Sequence, residues 1–130
     1  MAHFVAKSGT VYYTAYKNAR ENAKVNGITN PEFMCADASK AAAELQKRGS
    51  RPDVVVIDPP RKGCDASVID SIALMSPKRV VYVSCDPETL ARDLKLFVEK
   101  GYKTVTVTPV DMFPRTQHVE TVVLMSRVED

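Results

Sequence analysis

The sequence predicts an α/β fold in which a mostly parallel sheet ends in an antiparallel pair of strands. Short runs rich in β-branched residues alternate with longer amphipathic segments, which is typical of βαβ units. After residue 101, two strand-like runs are separated by only a short loop, which favours an antiparallel pair. The 130 residues, 45% of them hydrophobic and 26% charged, suit one domain with its own core.

The order of the elements follows from the apolar spacing and from the residues that end each run. Helices are predicted at residues 14–26, 38–48, 66–75 and 88–100, and glycine follows three of them, at Gly27, Gly49 and Gly101. Strands are predicted at residues 32–36, 53–57, 79–83, 102–110 and 119–127. In the third helix, Ile69, Ile72 and Leu74 are expected to face inward.

The first 13 residues are atypical for such a fold. A nucleotide-binding sheet begins with a strand, a glycine-rich loop and an acidic residue after the next strand, and we find no such combination here. We therefore expect residues 1–130 to form a single, truncated domain that lacks the first strands. The strand at residues 32–36 would then pair with residues 53–57 or 11–14, or its exposed edge would form a homodimer.

Composition excludes several classes of protein. A formal net charge of +2 does not indicate a nucleic-acid binder by itself. No apolar run approaches the roughly 20 residues that a membrane helix needs, so no membrane association is expected. The three cysteines, Cys35, Cys64 and Cys85, lack C-x-x-C spacing, which favours the reducing cytoplasm over a disulfide framework or a zinc site. Cys35, within a predicted strand, and Cys64 are both expected to be structural.

Polar motifs follow the predicted strands, and ligands of open α/β sheets bind beyond the carboxyl ends of strands. The first motif is Asp-Pro-Pro-Arg-Lys-Gly at residues 58–63. Its two prolines fix an extended turn that could present Asp58 to a planar base. The alternative is a rigid connection in which Asp58 only caps a helix.

The second motif is Ser-Cys-Asp-Pro-Glu-Thr at residues 84–89. Asp86 suits the N-cap of a helix and Pro87 its first position. Cys85 would then lie just before a helix N-terminus, which favours the thiolate. A buried structural cysteine is the alternative, because that is the usual role of a lone Cys.

The third motif runs from Asp111 to Glu120 and leads into the last strand. Glu120 opens an otherwise apolar strand, so its carboxylate is expected to be partly buried, with its pKa raised toward the range of a general base. The alternative is a solvated hairpin loop, and His118 alone is weak evidence for catalysis.

Together, the order and spacing of these three motifs resemble the RNA (uracil-5-)-methyltransferase family, a class I S-adenosylmethionine-dependent group with a Rossmann-like sheet. The resemblance covers nearly all of residues 15–127 and is closest to the 23S ribosomal RNA branch, with the tRNA branch second. The chain has Asp86 where the family usually has Asn, and Arg115 where a neutral residue or His is usual.

The resemblance implies a role for each matching residue. It makes Cys85 the nucleophile and Glu120 the general base. Asp37 and Asp58 would contact S-adenosylmethionine, whose binding is expected to be weak or absent in this chain. Target RNA would be contacted by residues of the first and third motifs, namely Asp58, Arg61, Phe113 and His118. No metal ion and no iron–sulfur cluster is implied in this segment.

Two alternatives remain open at this point. An amino-group methyltransferase also uses an Asp-Pro-Pro turn, but it needs no cysteine and normally has an aromatic residue where this chain has Arg61. A non-catalytic RNA-binding or interaction module could keep the fold without the cofactor loop.

Overall fold

The computed structural model describes residues 5–6, 13–116 and 118–128, which form one mixed sheet with helices. Residues 7–12, which include part of the atypical N-terminal segment, lie outside the described residues. The elements in chain order are β1 (Val5–Ala6), α1 (Tyr13–Val25), α2 (Ala38–Lys47), β2 (Val54–Ile57), α3 (Ala66–Met75), β3 (Arg79–Ser84), α4 (Pro87–Glu99), β4 (Tyr102–Val110) and β5 (Glu120–Arg127). No helix among these residues is long and apolar enough to cross a membrane.

The sheet has the strand order β1-β2-β3-β5-β4. The pairs β1–β2 and β2–β3 are parallel, whereas β5 runs antiparallel to both β3 and β4. The predicted parallel sheet with an antiparallel C-terminal pair is therefore confirmed.

The core lies on one face of this sheet. Alternate residues of the central strands, such as Val80 and Tyr82 in β3 and Val123 in β5, are buried together with Ile69 of α3 and Phe97 of α4. This alternation follows from the period of two in a strand, which sends successive side chains to opposite faces.

Two expectations about this core and its edge are wrong. Residues 32–36 form no strand, and Cys35 is exposed rather than inside one. A strand needs a partner, and both edges of β2 are already paired, one with β3 and the other with β1. The N-terminal strand β1, rather than residues 32–36, thus pairs with β2. Leu74, expected to face inward, is 61% exposed, because α3 packs on the core through the face that carries Ile69 and Ile72.

The N-terminus of α4 is capped as predicted. The Asp86 carboxylate accepts hydrogen bonds from the backbone amides of Glu88 (3.1 Å) and Thr89 (2.9 Å), and Pro87 occupies the first turn. The hydrogen bond from the Thr89 amide is the largest influence that lowers the pKa of Asp86 from its ordinary value. The corresponding residue of α3, Asp65, makes no such side-chain hydrogen bond.

The loop between β2 and α3 packs against α4 at Gly63. This glycine has a φ of +80°, and a Cβ placed on it would lie 2.4 Å from Nη2 of Arg92 and 2.6 Å from Oδ2 of Asp93. Gly49 has a similar φ of +71° but has nothing within 4 Å of such a Cβ. Among the glycines that the structure describes, therefore, only Gly63 adds close packing to the backbone requirement for glycine.

We predict that Gly63→Ala destabilises the chain more than Gly49→Ala. Both substitutions force an alanine into the left-handed backbone conformation, which costs about 1–2 kcal/mol. Gly63→Ala adds the displacement of two α4 side chains, about 1–3 kcal/mol more in the free energy of unfolding. Urea denaturation of the two variants measures the difference, and equal losses of stability would show that the close approach at Gly63 is not a constraint.

We also predict that Asp86→Ala lowers the free energy of unfolding more than Asp65→Ala, because only Asp86 satisfies helix amides. The effect depends on pH. A carboxyl with a lowered folded-state pKa stabilises the protein above its ordinary pKa of 3.8, and that stabilisation is lost as the pH falls through the folded-state pKa. The difference between Asp86→Ala and the unsubstituted chain should therefore shrink below pH 3.8. A difference that stays constant down to about pH 2 would contradict this account.

Candidate active site

The predicted catalytic residues meet at one edge of the sheet, which we call the carboxyl edge: the carboxyl ends of β2 and β3 and the start of β5. Asp58 directly follows β2 and Cys85 directly follows β3. Ser84 is paired with Thr121 at the end of the antiparallel ladder between β3 and β5, and Cys85 and Glu120 come next at that same end. The antiparallel return of β5 thus brings a carboxylate to the same edge of the sheet as the thiol.

Cys85 sits in a turn that its neighbours hold closed. The Ser84 hydroxyl accepts a hydrogen bond from the Asp86 amide (3.1 Å) and donates one to the Asp86 carbonyl (2.8 Å). Asp86 in turn caps α4, so both sides of Cys85 are fixed to regular structure. The Cys85 side chain is half-buried, so it is held by its surroundings and can still be reached.

The loop at residues 111–116 and His118 lies close to this turn. The rings of Phe113 and His118 meet edge to face, with centroids 6.5 Å apart and an interplanar angle of 81°. The His118 amide also donates to the Thr116 hydroxyl (3.2 Å). His118 is near enough to Asp86 for its charge to contribute, as a minor cause, to the lowered pKa of that carboxyl. The second and third motifs are therefore adjacent in space.

The first motif forms what we call the DPP loop, residues 58–64. The Gly63 amide donates to the Pro60 carbonyl (2.8 Å), which closes a turn around the exposed Arg61. Pro59 is buried and Asp58 is half-buried. Asp58 caps no helix, since Asp65 occupies the N-cap of α3.

Asp37, the other predicted cofactor contact, is the N-cap of α2. Its Oδ1 accepts hydrogen bonds from the amide (3.0 Å) and the hydroxyl (2.6 Å) of Ser39. The Ser39 hydroxyl is the largest cause of its lowered pKa, and the charge of Lys62 in the DPP loop contributes. Asp37 therefore combines a capping role with a position near the DPP loop.

Three groups at the carboxyl edge have no partner in the described part of the chain. The carboxylates of Asp58 and Glu120 and the thiol of Cys85 make no hydrogen bond or ion pair with any residue that the structure describes. All three groups are half-buried, so a ligand at this edge could reach them. Among the described residues, no three His, Cys, Asp or Glu side chains are grouped so that they could hold a metal ion.

The other two cysteines have different surroundings. Cys64 is buried at the end of the DPP loop, and burial together with the charge of Asp93 raises the pKa of its thiol to about 12. A thiol with so high a pKa is a poor nucleophile at neutral pH, which agrees with the structural role predicted for it. Cys35 is exposed and distant in sequence from every residue of the carboxyl edge.

Sequence reasoning missed the residues that hold the DPP loop in place. The fully buried carboxylate of Asp93, on α4, accepts hydrogen bonds from the Cys64 amide, from the Tyr82 hydroxyl and from Arg92. A signal was present: Asp93 lies three residues after Leu90 and four before Phe97, which places a carboxylate on the buried face of an amphipathic helix.

Comparison with known proteins places this geometry in a family. A model described as tRNA (uracil-5-)-methyltransferase matches residues 3–128. An uncharacterized RNA methyltransferase of Bacillus cereus is 56% identical over 115 residues, which are 88% of this chain and 25% of the relative. A second, from Caldanaerobacter subterraneus, is 48% identical over 131 residues, covering 96% of this chain and 29% of the relative.

A solved structure is similar in both sequence and fold. The tRNA (uracil-54, C5)-methyltransferase of Pyrococcus abyssi, in complex with S-adenosyl-L-homocysteine, is 33% identical, with a TM-score of 0.73 over 94% of this chain and 29% of that one. The class I methyltransferase fold expected from the sequence is thereby confirmed. The chain spans about a quarter of the length of the relatives that it matches. It belongs to the S-adenosylmethionine-dependent RNA (uracil-5-)-methyltransferase family.

Proposed function

We propose that this chain carries the catalytic residues of a methyltransferase that modifies carbon 5 of a uridine in RNA through a covalent Cys85–uracil intermediate. One observation supports this proposal most strongly. The thiol of Cys85 and the carboxylates of Asp58 and Glu120 converge on the carboxyl edge, half-buried and without partners among the described residues. A thiol beside a carboxylate is the pair that this chemistry requires.

The chemistry explains both residue types. Carbon 5 of uracil is a poor nucleophile. The Cys85 thiolate adds to carbon 6, and the ring electrons move to carbon 5 and the carbonyl at carbon 4, forming an enolate. After carbon 5 has received a methyl group, the Glu120 carboxylate removes its proton. That electron pair re-forms the double bond between carbons 5 and 6 and expels the Cys85 thiolate.

S-adenosylmethionine supplies the methyl group in this family, and Asp37 and Asp58 are the residues we propose to hold it. Asp58 follows β2 at the carboxyl edge, and Asp37, the N-cap of α2, lies near the DPP loop. Ligand hydroxyl and amino groups are natural donors to such carboxylates. Asp58 fits this role because its half-buried carboxylate has no partner among the described residues. Asp37 fits less completely, because one of its oxygens already accepts from Ser39.

Ribosomal RNA is the substrate we propose, with tRNA as the second candidate. A half-buried thiol is out of reach of a stacked base, so the target uridine must be flipped out or lie in a single-stranded loop. We propose that Arg61, which is exposed, contacts a phosphate and that the Phe113 ring, which is 37% exposed, stacks on a base. His118 is held at the same edge by its contact with Phe113. We place this activity in the cytoplasm. We also propose that two copies of the chain form a homodimer through an exposed edge of the sheet.

The decisive variants are Cys85→Ala and Glu120→Gln. The test protein is a chimera, in which the 115 matched residues of the Bacillus cereus relative are replaced by those of this chain. We predict that the two variants of this chimera fail at different steps. Cys85→Ala should abolish both 5-methyluridine formation and any covalent RNA adduct, because nothing activates the ring. Glu120→Gln should permit addition and methyl transfer but block elimination, leaving an adduct that is retarded in denaturing electrophoresis.

The matched control is Cys35→Ala, which removes an exposed thiol that does not belong to the carboxyl edge and should retain methylation within about twofold. Methylation by the Cys85→Ala protein, or an adduct that maps to Cys35 or Cys64, would contradict the proposal. Methylation of an amino group without an adduct would instead indicate the amino-group class. RNA binding with no methylation, while the parent relative is active, would indicate a binding module.

We predict that the isolated 130-residue chain binds S-adenosylmethionine weakly or not at all. Its sequence contains no strand followed by a glycine-rich loop and an acidic ribose ligand, and Asp37 and Asp58 alone offer few contacts. Isothermal titration calorimetry measures the affinity directly. A dissociation constant in the low micromolar range would show that this chain holds a complete cofactor site.

A further inference from the structure

We propose that Asp93 is a positioning residue, which fixes the DPP loop relative to the strand end that carries Cys85. This inference rests on the proposed function, because it concerns the relative placement of the two motifs assigned to that reaction. Asp93 touches neither motif's reactive group, so it would act only through the groups that it holds.

The Asp93 carboxylate joins three elements at one point. Its Oδ2 accepts hydrogen bonds from the Cys64 amide of the DPP loop (2.6 Å) and from the Tyr82 hydroxyl of β3 (2.5 Å). Its Oδ1 accepts from Nε of Arg92, at 2.9 Å. The side chain is fully buried, so donors within the protein, which include Nη2 of Arg92 at 2.8 Å from Oδ1, must compensate for the loss of water.

Neighbouring side chains of α4 extend this attachment. The Thr89 hydroxyl donates to the carbonyl of Arg61 (2.9 Å), and Nη2 of Arg92 donates to the carbonyl of Lys62 (2.9 Å). With Asp93, these residues form what we call the α4 clamp. The clamp binds the main chain of the loop and leaves the Arg61 and Lys62 side chains exposed for a ligand.

The clamp connects the loop to Cys85 by two routes. Through the Tyr82 hydroxyl, Asp93 is bonded to β3, the strand that ends just before Cys85. Through α4 itself, the clamp is continuous with the helix whose cap, Asp86, follows Cys85. A shift of the DPP loop would therefore break buried, charge-assisted hydrogen bonds, and misplacements on the scale of 1 Å can cost about 100-fold in rate.

The competing explanation is that Asp93 only stabilises the fold. The energetics of burying a charge argue against that explanation. A buried ionised group is often no more stabilising than an apolar residue of similar volume, so stability alone does not favour an Asp at this position. Asn is the informative replacement, because its amide has one acceptor oxygen and an NH2 donor. It cannot serve the Cys64 amide, the Tyr82 hydroxyl and Arg92 together.

The first test measures amide hydrogen exchange in the chain itself. For Asp93→Asn we expect exchange at Cys64 to accelerate about tenfold or more, while Val123 in the central strand β5 changes less than about twofold. Arg92→Gln removes one donor to Asp93 at a half-exposed side chain and should show the same pattern to a smaller extent. The control is Asp70→Asn, which removes only a surface pair with Lys100. Unchanged exchange at Cys64, or an equal increase at Val123, would overturn the inference.

The second test measures methylation in the chimera described above. Asp93→Asn should lower the turnover rate per folded molecule about tenfold or more and leave the KM for RNA within about twofold, with Arg92→Gln intermediate and Asp70→Asn unaffected. Unchanged turnover per folded molecule would assign Asp93 a structural role only. If the unsubstituted chimera formed no 5-methyluridine, the proposed function would fail, whereas the exchange measurement would still decide whether the clamp exists.

Discussion

The rest of the site depends on a single buried carboxylate, that of Asp93. A charge without access to water must be met by donors within the protein, and here the donors come from a loop, a strand and a helix. Displacing any of these elements would therefore leave the buried charge with fewer donors. Gly63 belongs to the same constraint, because a side chain there would occupy the space of Arg92 and Asp93. Burial raises the pKa of the nearby Tyr82 hydroxyl, and its hydrogen bond to Asp93 and the charge of that carboxylate raise it further.

The direction of β5 contributes the second part of the site. A fully parallel sheet would bring only the carboxyl ends of strands to the ligand-binding edge. Because β5 runs antiparallel to β3, its first residue, Glu120, lies there instead, beside Cys85. The hairpin between β4 and β5 also carries Phe113 and His118 to the same edge. The residues that we propose as nucleophile, base and stacking group thus come together from different parts of the sequence because β5 is antiparallel.

The sequence predicted best what local chemistry determines. The bounds of α3 and β4 and the cap at Asp86 follow from apolar spacing, glycine positions and N-cap preference, and the structure agrees with them. The strand expected at residues 32–36 failed because strand formation depends on a partner, and β1 had already taken the free edge of β2. The contacts of Asp93 joining α4 to the DPP loop and β3 were unpredictable because they link residues distant in sequence. Only its position between Leu90 and Phe97 indicated burial.

The central claim is that Cys85 and Glu120 act on one uracil from neighbouring positions at the carboxyl edge. The most direct test is a crystal structure of the chimera reacted with S-adenosylmethionine and an RNA that contains 5-fluorouridine at the target site. Fluorine cannot leave as a proton does, so elimination is blocked and the covalent intermediate accumulates. We predict electron density joining Sγ of Cys85 to carbon 6, with the Glu120 carboxylate beside carbon 5. A base held without that bond, or bonded to another cysteine, would contradict the account.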